Sequence, residues 1–170
     1  EDTNLKELIS SGKIRVMRFV LYSVNLIAAQ TTADLFSTGR SRSAGLTNIN
    51  NAKLEKDNAF LITAFRLQTG IAAGSGEADA KTAAFATPSN EVLNGHFTFK
   101  VGTETFFERC SNQVFKNANN EQSGLYILDT PILTNPGRDI SFNIETGATP
   151  VANTFARIDL VGLMTIKKAS

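Results

Sequence analysis

Histidine and cysteine each occur once, as His96 and Cys110, and this limits the chemistry open to the chain. A Ser-His-Asp hydrolase needs a histidine base beside an activated serine. His96 starts an alternating segment next to Gly95, and no G-x-S-x-G elbow supplies the serine. The simpler reading is a strand-edge histidine making one hydrogen bond. One His and one Cys cannot complete a zinc site. A single cysteine cannot close an internal disulfide, so Cys110 is expected as a small core residue.

Carboxylates are more plentiful. Glu104, Glu108, Asp129, Asp139, Glu145 and Asp159 sit on or near segments with strand character, and a pair of them is what a glycosidase requires. Alternation along strands explains nearly all of them as solvent-facing positions. Asp129-Thr-Pro and Glu77-Ala-Asp79 are too sparse for the six to eight oxygen ligands of calcium. Gly70-x-x-x-Gly74-x-Gly76 lacks the Lys-Ser/Thr ending of a phosphate-binding loop and is not expected to open onto a helix. Arg40 and Arg42 are the one compact basic pair in a polar segment, a candidate for weak nucleic-acid contact. Phosphate binding calls for more clustered cations than these. No catalytic, cofactor-binding or metal-binding residue is therefore assigned, and the chain does not read as an enzyme.

Composition agrees. The 170 residues are enough for one domain with a substantial core. Charged residues make up 19%, below the usual ~25%, and Ser, Thr and Asn carry much of the polar surface, which suits strands and their loops. The net charge of +1 excludes a strong overall pull on nucleic acid or acidic membranes. No run of eighteen apolar residues marks a membrane helix. The twelve Phe, two Tyr and no Trp read as core filling rather than as stacking platforms for sugars. The sequence starts at Glu1 rather than Met, which fits either a removed leader or a trimmed segment.

Periodicity supplies the elements. Residues 1–12 read as an arm or short helix, with Leu5, Leu8 and Ile9 on one side and Ser11-Gly12 as its stop. Residues 13–170 read as one β domain. Lys13 to Ile27 is a long strand with apolar residues on both faces, one for the core and one for a neighbour. Residues 30–58 read as a long polar loop, of the kind that is functional or becomes ordered by a partner. Ala59 to Thr69 is a second strand, with Leu61, Phe65 and Leu67 on one face and Phe60 and Ile62 on the other. Residues 70–90, rich in Gly, Ala, Ser and Thr, read as a flexible excursion. His96 to Glu108 is a hairpin turning at Gly102-Thr103. Leu125 to Leu128 is a short strand, and Pro136-Gly137 is a turn feeding Ile140, Phe142 and Ile144. Phe155 to Ile166 closes the chain. Six to eight strands without helical crossovers predict an antiparallel β-sandwich.

Within the part from Gly95 onward, Pro131 to Ile144 gives a turn and then an alternating strand, followed by a loop and Ala156-Arg-Ile-Asp-Leu-Val-Gly162. That rhythm resembles the last strands of jelly-roll capsid or capsid-associated proteins of bacterial viruses. The resemblance covers about a third of the chain. It implies a jelly roll and a structural virion protein, located in the virion, whose partners are copies of itself and other virion proteins. It carries no functional residue across. The alternative is a glycan-binding or adhesin-type sandwich at a cell surface.

Overall fold

The alternating segments pair into two antiparallel sheets that face each other, as the periodicity predicts. The computed structural model describes residues 10–11, 14–116 and 123–167. The expected arm, apart from Ser10 and Ser11, lies outside the described residues. In chain order the elements are β1 (Ile14–Leu26), β2 (Thr32–Asp34), β3 (Phe60–Ile71), α1 (Glu77–Ala80), α2 (Asn90–Leu93), β4 (His96–Val101), β5 (Glu104–Ser111), a 3-10 turn (Asn112–Phe115), β6 (Leu125–Thr134), β7 (Ile140–Glu145) and β8 (Thr154–Lys167). Sheet A has the order β1-β8-β3-β6 and sheet B the order β2-β7-β4-β5.

Aromatic rings join the two sheets. Phe65 of sheet A meets Phe99 at 4.8 Å and Phe142 at 5.5 Å between ring centroids, both from sheet B. Phe97 stacks on Phe142 at 5.3 Å, and Phe115 of the 3-10 turn closes over Phe97 at the same distance. Such ring pairs add to the burial of their own area, which already dominates core energetics. Phe97, Phe99 and Val101 face inward from β4, and Ile140, Phe142 and Ile144 from β7, as the alternation predicts.

Strand β3 departs from simple alternation. Phe60, Ile62, Phe65 and Leu67 all enter the core, whereas strict period two separates the first two from the last two. The cause is a bulge at Thr63. Ile62 lies opposite Gly162 and Ala64 opposite Val161, so two residues on β3 advance against one on β8. An extra residue inverts the facing of everything beyond it. The Thr63 hydroxyl fastens the bulge by donating to the Val161 carbonyl at 3.2 Å. Gly162 sits against this irregularity, and a Cβ there would run into the Leu61 carbonyl.

The two long loops are more built than the sequence suggests. Residues 30–58 contain β2, which is only three residues long. It stops at Asp34, whose Oδ1 accepts from the Phe36 and Phe142 amides. Leu35, Phe36, Ile49, Ala52 and Leu54 of the same segment are buried in the main core. The flexible excursion expected at 70–90 is also corrected. Ala80 is buried, Phe85 packs against it, and Thr69 pairs with Ala86. The small residues there allow close approach rather than freedom. Strand β6 runs on to Thr134, through Pro131, where a turn was expected. Pairing with β3 jumps from Ile132 to Ile127, so Pro131 lies where no ladder amide is needed.

Replacing Gly162 by Ala tests the bulge. In an ordinary strand position the change is neutral or favourable, because Gly weakens strands. Here chemical denaturation should show a loss of about 2 kcal/mol or more, the scale of backbone clashes. A variant as stable as the wild type would show that β3 and β8 do not approach as described.

Candidate assembly surface

None of the sequence-derived chemical candidates converges on a catalytic centre. His96 is exposed at the start of β4, level with Ser111 and Glu145 in the adjoining strands. Cys110 is half-buried against the core rather than within it, its thiol 3.8 Å from the Glu108 carbonyl. Asp139 pairs with Lys53 at 3.3 Å, and Glu145 with Arg109 at 3.6 Å. Glu104, Glu108 and Asp129 are exposed on the edge strands β5 and β6. Among the described residues no three His, Cys, Asp or Glu side chains form a metal-binding group, and no helix is long and apolar enough to cross a membrane.

The glycine-rich stretch after β3 does open onto a helix, contrary to the sequence expectation. That helix, α1, is four residues long, and its own Asp79 accepts from the Gly76 amide at 3.1 Å. The Arg40–Arg42 pair is already engaged. Arg40 Nη1 donates to the Val24 carbonyl at 2.6 Å and to Asn25 Oδ1 at 2.8 Å, and Arg42 pairs with Glu55 at 2.8 Å. Arg40 therefore fastens a loop to β1, which leaves little of the pair for a phosphate.

The surface that stands out is the outer face of sheet A. Strand register divides it into three bands. At one end Val24, Leu46, Ala80 and Phe155 form a second, small core under the 43–47 and 77–86 segments. Next comes a polar seam, where Tyr22 and Arg66 both lie opposite Asp159. Arg157 Nε donates to Asp159 Oδ1 at 2.8 Å, and its guanidinium carbon lies 4.7 Å from the centre of the Tyr22 ring. Asp159 is only 6% exposed. Burial raises its carboxyl above the ordinary range, and the charges of Arg157 and Arg66 oppose that rise without cancelling it.

Beyond the seam the face is apolar and open. One row reads Val20, Val161, Ala64 and Ile127 across the four strands; the next reads Arg18, Leu163, Leu61 and Leu133. Ile127 is 66% exposed, Leu133 56% and Val16 45%. A shallow groove of about 570 Å3 lies along Arg18, Val20, Thr63, Val161 and Leu163. Isolated exposed apolar residues are ordinary, but an apolar band running across a whole sheet, even with Ala64 buried within it, stands out on a protein surface. The two-sided apolar character of β1 pointed toward this face. The contributions of β3, β6 and β8 stayed hidden, because the bulge at Thr63 decides which residues join them.

Comparison with protein-family models, with curated protein sequences and with solved structures finds no match.

The seam yields a pH prediction. A carboxyl raised in the folded state adds stability below its unfolded titration, and that contribution is lost as pH rises through the folded one. Asp159→Asn removes the titration while keeping an acceptor for Arg157. The melting temperature of the variant relative to wild type should therefore climb from about pH 4 to pH 7. A difference that falls with pH would mean that attraction to the arginines outweighs burial.

Proposed function

We propose that this chain is a structural, self-assembling virion protein, a capsid or capsid-associated subunit with a jelly-roll sandwich. The strand order supports the jelly roll. β4 pairs with β5, β3 with β6, β2 with β7 and β1 with β8, so the chain is a set of nested antiparallel pairs distributed over two sheets. That nesting is what rolling one long hairpin into a double sheet produces, and shell proteins use such folds.

The single observation that carries the assembly reading is the open apolar band on sheet A. Among the described residues Arg18 is the one charge within it, and it lies across the four longest strands of the molecule. Covering it removes apolar surface from water, worth roughly 25 cal/mol for each Å2. A rigid sandwich loses little conformational entropy when it associates, which favours a shell component. The described carboxylates and the lone histidine are explained by ion pairs and strand alternation, so the reading calls for no catalysis.

A glycan-binding sandwich fits less well. Sugar rings stack on exposed aromatic faces, yet every phenylalanine and both tyrosines are buried or half-buried here.

Light scattering and negative-stain electron microscopy of the purified chain test the proposal. Oligomers or particles are expected. Val20→Asp combined with Leu163→Asp should abolish assemblies larger than a dimer, with the melting temperature within a few degrees of wild type. A monodisperse monomer at high concentration would count against assembly, and a specific hit on a glycan array would favour the adhesin alternative.

A further inference from the structure

The apolar band ends at an edge of sheet A that is finished along only half its length. Along β1, backbone groups of alternate residues point away from β8. At the Val20–Val24 half most of these groups are satisfied by one loop. Asn48 Nδ2 donates to the Val20 carbonyl at 2.7 Å, and its Oδ1 accepts from the Tyr22 amide at 2.8 Å. The Val24 amide donates to the Leu46 carbonyl at 2.8 Å, and Arg40 donates to the Val24 carbonyl. Next in the series come Arg18 and Val16. Among the described residues neither has a backbone partner on that side.

The other edges are protected in ways this one is not. Strand β2 has three residues. Strand β5 is broken by two register shifts, and Arg109 within it has φ of 48°. Strand β6 carries Pro131 and a break in its ladder. Short strands, bulges and proline are the usual means of keeping sheet edges from pairing. Strand β1 pairs with β8 through thirteen residues without a shift and contains no proline. Its open half exposes Val16 and Met17 at 45% each, on opposite faces. Only Arg15 and Arg18 guard it.

We propose that this half-edge pairs with the same half-edge of a second copy. The two β1 strands run antiparallel about a twofold axis at Met17, and two sheets A become one continuous eight-stranded sheet. The inference rests on the assembly reading above and names its first contact. The spacing of the two arginines chooses the register. With Met17 opposite Met17, Arg18 lies opposite Val16 of the second copy and Arg15 opposite Phe19. No like charges face each other, and Arg15 is set beside an aromatic ring. The outward-pointing groups of Arg18 and Val16 then exchange both of their backbone hydrogen bonds. Centring on Arg18 would instead place two guanidinium groups together. Because the axis is perpendicular to the sheet, the outer apolar bands of both copies fall on the same side and merge into one larger surface. Self-complementarity of this kind fits a twofold partner of identical sequence better than an unrelated extended peptide.

Two variants of the full chain, made with Cys110→Ser, test the pairing. Met17→Cys places two thiols on directly opposed positions with Cα atoms about 4.5 Å apart, within disulfide range. It should give a disulfide-linked dimer on mild oxidation. Arg18→Cys, whose mate is not opposite itself, should give far less. Arg18→Pro deletes an outward amide that β8 does not use, so the melting temperature should hold while the dimer dissociation constant rises by about tenfold or more in analytical ultracentrifugation. Should Arg18→Pro fail to fold, the cross-linking decides alone. Oligomers that form without the Met17 cross-link and ignore Arg18→Pro would overturn this pairing and leave assembly standing. A chain that is monomeric and uncross-linked throughout, including one whose own N-terminal segment occupies the edge, would overturn both.

Discussion

A β-sheet has two faces and two edges, and a contiguous apolar face or a long unpaired edge is what calls for cover. Sheet B relieves sheet A of one face only. The rings of Phe65, Phe97, Phe99 and Phe142 close that side so completely that they fix the spacing of the sandwich. The outer face of sheet A is left to smaller devices, and the rest of the molecule can be understood as the sequence of those devices. Two loop segments cover one end, and a buried carboxylate with its arginines occupies the middle. The remainder is apolar and open to solvent.

The position of the seam follows from that arrangement. A charged group as buried as Asp159 tolerates its setting only with partners, and Arg157 and Arg66 reach it from the same strand and the next one. Arg157 also lies over Tyr22, whose hydroxyl accepts from the Gly45 amide at 3.2 Å. The polar row thereby holds the loop that covers the second core. It also separates dry surface on one side from open surface on the other. Without it, the Val24–Phe155 cluster and the Val20–Leu163 band would be one apolar sheet face.

Much of this was legible in the residues and some of it was not. Alternation fixes β4, β7 and β8 almost to the residue, because both sides of each strand meet well-defined neighbours. The same rule fails at Thr63, since a bulge is a tertiary adjustment: it exists because Gly162 allows β8 to pass close to Leu61. Strand β2 was missed because three residues show no period, and its end is set by the Asp34 carboxylate reaching Phe142 across the sheet. Residues 70–90 looked loose because alanine and glycine carry no pattern. Their order comes from Ala80 and Phe85 filling a gap that only the folded sheet creates. The apolar band was only half readable, as it needs four strands in register to become a surface.

Edge and face are not independent in such a molecule. Strand β1 supplies Val16 and Val20 to the apolar band and also the outward backbone groups of Val16 and Arg18, which have no backbone partner among the described residues, so one short segment presents side-chain and backbone demand together. Hydrogen bonds along an edge give direction and register; apolar burial gives most of the free energy. A surface having only the second would associate in many orientations. A surface having only the first would be weak in water. Their coincidence on Ile14–Phe19, next to a loop that finishes the same edge a few residues later, is what makes a defined partner geometry physically reasonable here. In the pairing proposed above, the register about Met17 sets neither Arg15 nor Arg18 against a like charge.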